Sequence, residues 1–478
     1  MKNNLTMLAD FYEFTMANGF FESGIQDKTA CFDMFFRRVP DNGGFAIATG
    51  LEQLIQYLQS LSFSESDIDY LRNRGIFSDS FLNYLKNFKF ECDVYAMREG
   101  TPCFPGEPLV IIKGPLVQAQ LVETMVLLTI NHQSLIATKA NRIVRAANGR
   151  VVMEFGSRRA QGADAAIAGS RAAYIGGCAG SACTISDILY NIPALGTMAH
   201  SWVQTFDSEY EAFAAYANAY PSSCTLLIDT YNVLKSGLPN AIRVHKEILE
   251  PKGYRLDGIR IDSGDITYLT KKVRKVLDDS GLQDCKIIVS NSLDEYIIRD
   301  TLMQGAQIDS FGVGERLITS KSEPVFGGVY KLVATWNGDK MIPKIKLSEN
   351  VEKITLPGFK QVYRLYEQDT SKAIADVITL HDEEIDSSKP YEIFDPEHAW
   401  KRKKITDFRA EKLLIKIFDK GKLVYTPPTL PTIKEYCQNE INNLWDEVKR
   451  FENPHKYYVD LSQPLWDLRA SLLKEHSC

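Results

Sequence analysis

GIRIDSGDITYLTKKVRKVLDDS (Gly258–Ser280) reads as one short strand and one amphipathic helix. Between them stand Asp262, Ser263, Gly264 and Asp265, turn residues that also carry chemistry. The same order recurs across the middle of the chain. Short β-rich runs end in Gly, Asp, Ser, Asn or His: Val151–Arg159, Ala194–Ser201, Cys224–Thr230, Gly258–Asp265, Lys286–Asn291 and Gln307–Glu315. Helical stretches such as Ile266–Ser280 and Leu293–Gln304 lie between most of them. Strand and helix in alternation predict parallel strands with crossover helices. The expected fold class is α/β with an irregular (β/α) barrel body, and function should collect at the C-terminal strand ends. A doubly wound open sheet is the competing architecture.

Outward from this body the pattern changes. Residues 1–130 predict an N-terminal α+β domain, with a helix at Leu51–Leu61 and strands at Cys31–Arg37 and Glu107–Lys113. The barrel domain is expected over 131–345, after a helical stretch from Gln118 to Arg145. A C-terminal α+β extension is expected over 346–478, with strands at Ala373–Leu380 and Leu413–Phe418 and helices at Ile433–Arg450 and Leu461–Lys474.

Composition narrows the class. The 478 residues are 45% hydrophobic and 24% charged, ordinary for a globular chain. The formal charge of −6 lacks the basic excess of a dedicated nucleic-acid binder. No apolar run is long enough for a membrane span, and Asp10 and Glu13 interrupt any signal core near the start. Nine scattered cysteines, Cys478 among them, form no CxxC, and the expectation is a reduced, cytoplasmic chain. The histidines show no HxxxH, so no metal cage is visible.

Four stretches could carry chemistry. In GIRIDSGD, strand alternation puts Arg260 and Asp262 on one face. A guanidinium beside a carboxylate suits an anionic or aromatic ligand on one side and sugar hydroxyls or a metal-bound water on the other. The bland reading is a buried Arg–Asp pair, with Asp265 a helix cap. In QIDSFGVGE, Gly312 and Gly314 could open backbone N–H groups to a phosphate, while a lone GxG is more often a tight turn. In SNSLDE, Asn291 or Ser292 could cap the next helix, or that helix start could share the phosphate. EFGSRRAQG places Arg158 after a strand, either facing a planar acid or as half of a solvated basic pair. His200 in ALGTMAHSW is expected at a strand end, where an imidazole serves as base or phosphoryl acceptor. A packed or surface histidine is the plainer alternative.

Several long motifs in order then resemble the nicotinate phosphoribosyltransferase family: LADFYEFTMANGFF (Leu8–Phe21), FRRVPDNGGFAIATGL, EFGSRRAQGAD, GTMAHS, LLIDTYNVLKSGLPNA, IRIDSGD, VSNSLDE, FGVGE, VYKLV and LPGFKQVYR (Leu356–Arg364). The resemblance implies a type II phosphoribosyltransferase. It would form nicotinate mononucleotide and pyrophosphate from nicotinate and phosphoribosyl pyrophosphate, with Mg²⁺, in NAD salvage. ATP would be a co-substrate, its hydrolysis coupled through a phosphohistidine at His200. A homodimer with shared active sites is implied, Tyr12 reaching into the neighbouring subunit's site. Arg158 would lie at the base of the nicotinate pocket, Arg260 would hold the carboxylate, and Asp262 the ribose hydroxyls. Ser201 would join the substrate-binding set, and Asn291, Gly312 and Gly314 would lie at the 5′-phosphate. Relatives that use nicotinamide place an Asp in the small-residue loop; here GGCAGSACT (Gly176–Thr184) has no acid, which favours the carboxylate substrate. Two alternatives remain: a nicotinamide phosphoribosyltransferase, and a non-catalytic nucleotide-binding protein of the same fold.

Overall fold

The computed structural model describes residues 4–350, 353–396 and 398–476; Cys478 lies outside the described residues. The chain forms two compact units, one of residues 136–324 and one of residues 1–135 with 325–478.

The first of these carries the recurrent strand–helix pattern. Five parallel strands lie in the order Val151–Glu154, Ser310–Val313, Lys286–Asn291, Gly258–Ile261, Thr225–Leu227. Ile259, Ile261, Ile287, Val289, Phe311 and Val313 are fully buried, as in a parallel sheet covered on both faces. The register pairs Asn291 with Val313 and Val313 with Glu154. The turns after Glu154, Asn291 and Val313 therefore leave the sheet along one edge. Helix Ile266–Asp279 follows the Arg260 strand and is capped by Asp265, whose Oδ1 accepts the Tyr268 N–H at 2.9 Å. Helix Glu295–Met303 is capped by Asp294, not by Asn291 or Ser292.

The run Ala194–Ser201 departs from expectation. Past Glu154, among the described residues, the sheet continues only as single bridges, Glu154 to Ser181 and Ser181 to Ala194. Among the described residues no pairing joins Ala194 to the Thr225 strand, so five paired strands and not a hydrogen-bonded ring are what the backbone builds. Pro193 offers no N–H to a ladder, which limits the pairing there. His200 opens the short helix His200–Thr205 instead of ending a strand.

The other unit holds a seven-stranded antiparallel sheet with Thr29–Phe35 near its middle, between Val329–Asn337 and Val110–Pro115. A four-stranded sheet runs Phe408–Lys412, Lys360–Glu367, Ala373–Leu380, Val459–Leu461. Arg364, fully buried, donates from Nε and Nη2 to the two oxygens of Asp376 at 2.8 and 2.6 Å. Removing one partner would strand a buried charge, so this pair locks the register of its two strands. No described helix is long and apolar enough to cross a membrane.

Asp460 gives this unit a pH dependence. Burial, reinforced by Asp395 and opposed by Lys456, pushes its carboxyl up to about 7. The folded state thus binds the proton more tightly than the unfolded chain, whose Asp titrates near ~3.9. The stabilising contribution is complete below that value and is lost as pH rises through 7. Glu13, also raised to about 7 by burial, acts with the same sign. Thermal unfolding should therefore shift down between pH 5 and pH 8. Asp460→Asn should shrink that shift without abolishing it, and an unchanged slope in the variant would contradict this placement of the proton.

Candidate active site

Arg260 is the hub. It stands on the strand Gly258–Ile261, and the side chain is mostly buried. Its Nε donates to Ser290 Oγ at 2.7 Å, and Nη1 donates to Thr197 Oγ1 at 3.2 Å and to the Met198 carbonyl at 3.4 Å. Nη2 reaches Asp262 Oδ1 at 3.3 Å. Its guanidinium carbon lies 5.7 Å from the centre of the Phe155 ring. Ser290 also donates to Asp262 Oδ1, so one hydroxyl ties the arginine and the carboxylate together.

Asp262 is held from behind by Asp229, at the end of the Thr225 strand. Asp229 Oδ2 accepts the Asp262 N–H at 2.9 Å and the Ser263 hydroxyl at 2.6 Å. Its Oδ1 is buried without a hydrogen-bond partner. Gly264 follows at φ +86°, where an L side chain is strained and a Cβ would stand 2.8 Å from Leu269 Cδ1.

His200 completes the group. Its Nδ1 meets Thr230 Oγ1 at 3.1 Å, and its Nε2 lies 3.7 Å from Asp262 Oδ2. At 41% exposure the imidazole is open to a reactant while two neighbours fix its orientation.

Phe155 floors the same edge. A Cβ on Gly312 would stand 2.4 Å from its ring, and one on Gly314 would stand 3.2 Å from the Phe155 carbonyl oxygen. Gly312 lies inside the strand Ser310–Val313 and not in the turn expected past it, and the two glycines make room for the aromatic side chain and its turn. The turn is anchored by buried Glu154, which accepts from Gly156 N–H, Ser181 Oγ and Ser170 Oγ. Burial raises its carboxyl above the ordinary range against the pull of these donors. Gly312→Ala should displace the ring, cost about 1–3 kcal/mol of stability and lower turnover with a carboxylate pyridine. An unaltered Phe155 ring in a crystal structure of that variant, with normal turnover, would refute the steric argument.

The remaining expected residues are less closely joined. Arg158 is exposed in the turn Ser157–Arg159 after the strand Val151–Glu154. Ser201 is exposed on the His200 helix, with its carbonyl accepting from Thr205. Asn291 ends its strand, its Oδ1 accepting the Ser292 N–H at 2.7 Å. Tyr12 is exposed on helix Phe11–Glu22 of the other unit. Burial and the nearby Glu123 raise its phenol above the usual range. Four participants were not singled out in the sequence: Phe155, Asp229, Thr230 and Ser290. Each sits at the C-terminal end of a strand in a run already marked as polar-ended, and that position was the available signal.

Comparison with known proteins adds an independent line. Three family models match in order: the nicotinate phosphoribosyltransferase (NAPRTase) N-terminal domain at residues 7–131, the nicotinate phosphoribosyltransferase (NAPRTase) family at 151–349, and the nicotinate phosphoribosyltransferase C-terminal domain at 359–469. A nicotinate phosphoribosyltransferase of Bacillus subtilis (strain 168) is 43% identical over 99% of this chain and 96% of its own. The Homo sapiens nicotinate phosphoribosyltransferase is 32% identical over 98% and 96%. The crystal structure of human nicotinic acid phosphoribosyltransferase superposes with a TM-score of 0.87 at 30% identity, covering 97% of this chain and 99% of that one. A nicotinate-nucleotide pyrophosphorylase from Pyrococcus furiosus shares the fold, with a TM-score of 0.70 at 24% identity over 92% and 96%.

Proposed function

The chain belongs to the nicotinate phosphoribosyltransferase family, and from that premise we propose how its residues divide the work. It is a nicotinate phosphoribosyltransferase, a pentosyltransferase of NAD salvage. The observation that carries the site assignment is the cluster of Arg260, Asp262, Ser290 and His200 beside the Phe155 ring, on one edge of the parallel sheet. The single bridges at Ser181 and Ala194 support reading the sheet as part of an irregular barrel.

The nicotinate ring lies against Phe155 and its carboxylate faces cationic Arg260, with Arg158 at the base of the pocket. Asp262 accepts the ribose hydroxyls of phosphoribosyl pyrophosphate. Asn291 and the backbone at Gly314 receive the 5′-phosphate, with Gly312 behind them in the paired strand, and Ser201 lies beside it. The pyridine nitrogen attacks C1 of the ribose as the bond to pyrophosphate breaks. Its lone pair is free at neutral pH, so no base is required. The transition state is cationic at the sugar, so positioning and charge placement do most of the catalysis.

Mg²⁺ fits the residues present. Asp229 offers a buried carboxylate oxygen with no partner, next to Asp262, and hard oxygen donors suit this ion. Asp229 and Asp262 would hold it, and it would neutralise the pyrophosphate charge. ATP is the co-substrate: a nitrogen of His200 attacks the γ-phosphorus, ADP leaves, and water later cleaves the N–P bond. Thr230 and Asp262 support this by orienting the imidazole.

A homodimer with shared sites is the proposed assembly, Tyr12 reaching its partner's nicotinate. Exposed Ile185, Ile188 and Leu189 on one helix, and Leu8, Phe11 and Met16 near Tyr12, are apolar surface that a second copy would cover. A cytoplasmic location agrees with the eight unpaired described cysteines.

The deciding assay supplies nicotinate or nicotinamide at equal concentration with phosphoribosyl pyrophosphate and Mg²⁺, with and without ATP. Nicotinate should be strongly preferred, and ATP should raise product at equilibrium. Preference for the amide would assign the chain to the nicotinamide-using relatives. Binding of the sugar pyrophosphate with no release of pyrophosphate would make it a binding protein.

A further inference from the structure

A cavity of about 500 Å³ lies in the unit formed by the two ends of the chain, and none of its wall residues belongs to the catalytic site assigned above. Its wall combines three aromatic rings and three lysines. Trp445 and Tyr458 are 43% and 51% exposed, and the Tyr458 ring meets His455 edge to face at 5.8 Å. Lys403 and Lys456 supply positive charge against the carboxylates of Glu367 and Glu447, while Lys404, next to Lys403 on the strand Arg402–Ile405, turns to the other face. Glu367 is already engaged by the Thr370 hydroxyl.

The rings are held in place before any ligand arrives. Lys372, which is not part of the cavity wall, places its ammonium 5.9 Å from the Trp445 ring. The same ammonium donates to the Asn442 and Leu444 carbonyls at 2.7 and 3.1 Å, fixing the segment that presents the indole. Tyr457 stacks on Phe104 at 3.9 Å and donates to Asp376 at 3.0 Å, which pins the segment carrying Tyr458 and His455. Rigid exposed aromatics lose little entropy on stacking a planar group. Lysines beside them answer phosphate charge. The volume falls in the range of small-molecule sites, roughly 300–1,000 Å³.

We infer that this cavity is a binding site for a nucleoside polyphosphate, its base stacked on Trp445 and Tyr458 and its phosphates met by Lys403 and Lys456. The inference is independent of the reaction at His200 and Arg260.

The test is photolabelling of the full-length protein with 8-azido-ATP, followed by peptide mapping. Label should appear on the segment 445–458 in addition to any in the catalytic unit. Lys403→Glu with Lys456→Glu should weaken labelling there by about ten-fold, and Trp445→Ala should do the same. Nicotinate turnover at saturating substrate should remain near wild type in both variants, since none of these residues serves the reaction. Unlabelled ATP should compete for the segment far better than inorganic triphosphate. Absence of label from 445–458, or label there unaffected by the charge reversals, overturns the inference. Equal competition by triphosphate overturns the nucleoside assignment.

Discussion

Arg260→Ala should lower kcat/KM for nicotinate by about 100- to 1,000-fold, equivalent to roughly 3–4 kcal/mol. The expectation rests on how many groups the guanidinium organises at once. It touches Ser290, Thr197, the Met198 carbonyl and Asp262, and it lies over Phe155. Truncation removes the cation proposed to face the nicotinate carboxylate and also frees the hydroxyl and carboxylate that remain. Arg260→Lys should recover little, because one ammonium cannot reproduce the planar fork. The loss should fall on nicotinate more than on ATP, read as separate binding isotherms. A larger loss for ATP would move the pyridine ring away from Arg260.

How far this site could be read in advance depended on spacing along a single strand. Arg260 and Asp262 are two residues apart, and strand alternation is enough to bring them to one face; their 3.3 Å contact follows from that local rule. Ser290 and Phe155 come from other strands. Their approach depends on sheet order and register, which no local pattern carries. The strand order, with Ser310–Val313 inserted between Val151–Glu154 and Lys286–Asn291, is what brings the Phe155 turn beside Gly312 and Gly314. Gly312 read as part of a turn, yet it lies inside the strand Ser310–Val313, where the Phe155 ring fills the space beside it. His200 illustrates the opposite error. The run before it looked like a strand, but Pro193 and the short ladder leave only one bridge, and the histidine opens a helix instead. The helix cap at Asp265 was one of two local readings, and the hydrogen bond to Tyr268 selects it.

His200→Ala should abolish nicotinate-stimulated ATP hydrolysis, a loss of at least ~1,000-fold, while slow ATP-independent formation of the mononucleotide persists. The two halves of this result have separate physical sources. The pyridine attack needs only the ring, the sugar and the charges around them, none of which His200 supplies. ATP coupling needs a nucleophile that can accept a phosphoryl group and release it to water. An imidazole 41% exposed, with Nδ1 on Thr230 and Nε2 facing Asp262, has both the access and the orientation. Incubation with ATP labelled at the γ-phosphate should give an acid-labile, alkali-stable label on the wild type and none on the variant. Thr230→Val should lower the rate of labelling without abolishing it, because that hydroxyl orients the ring and does not itself react. Undiminished ATP hydrolysis in His200→Ala would take the histidine out of the coupling step. The Arg260 cluster would then account for the ribosyl transfer alone, and ATP would have to act through another group.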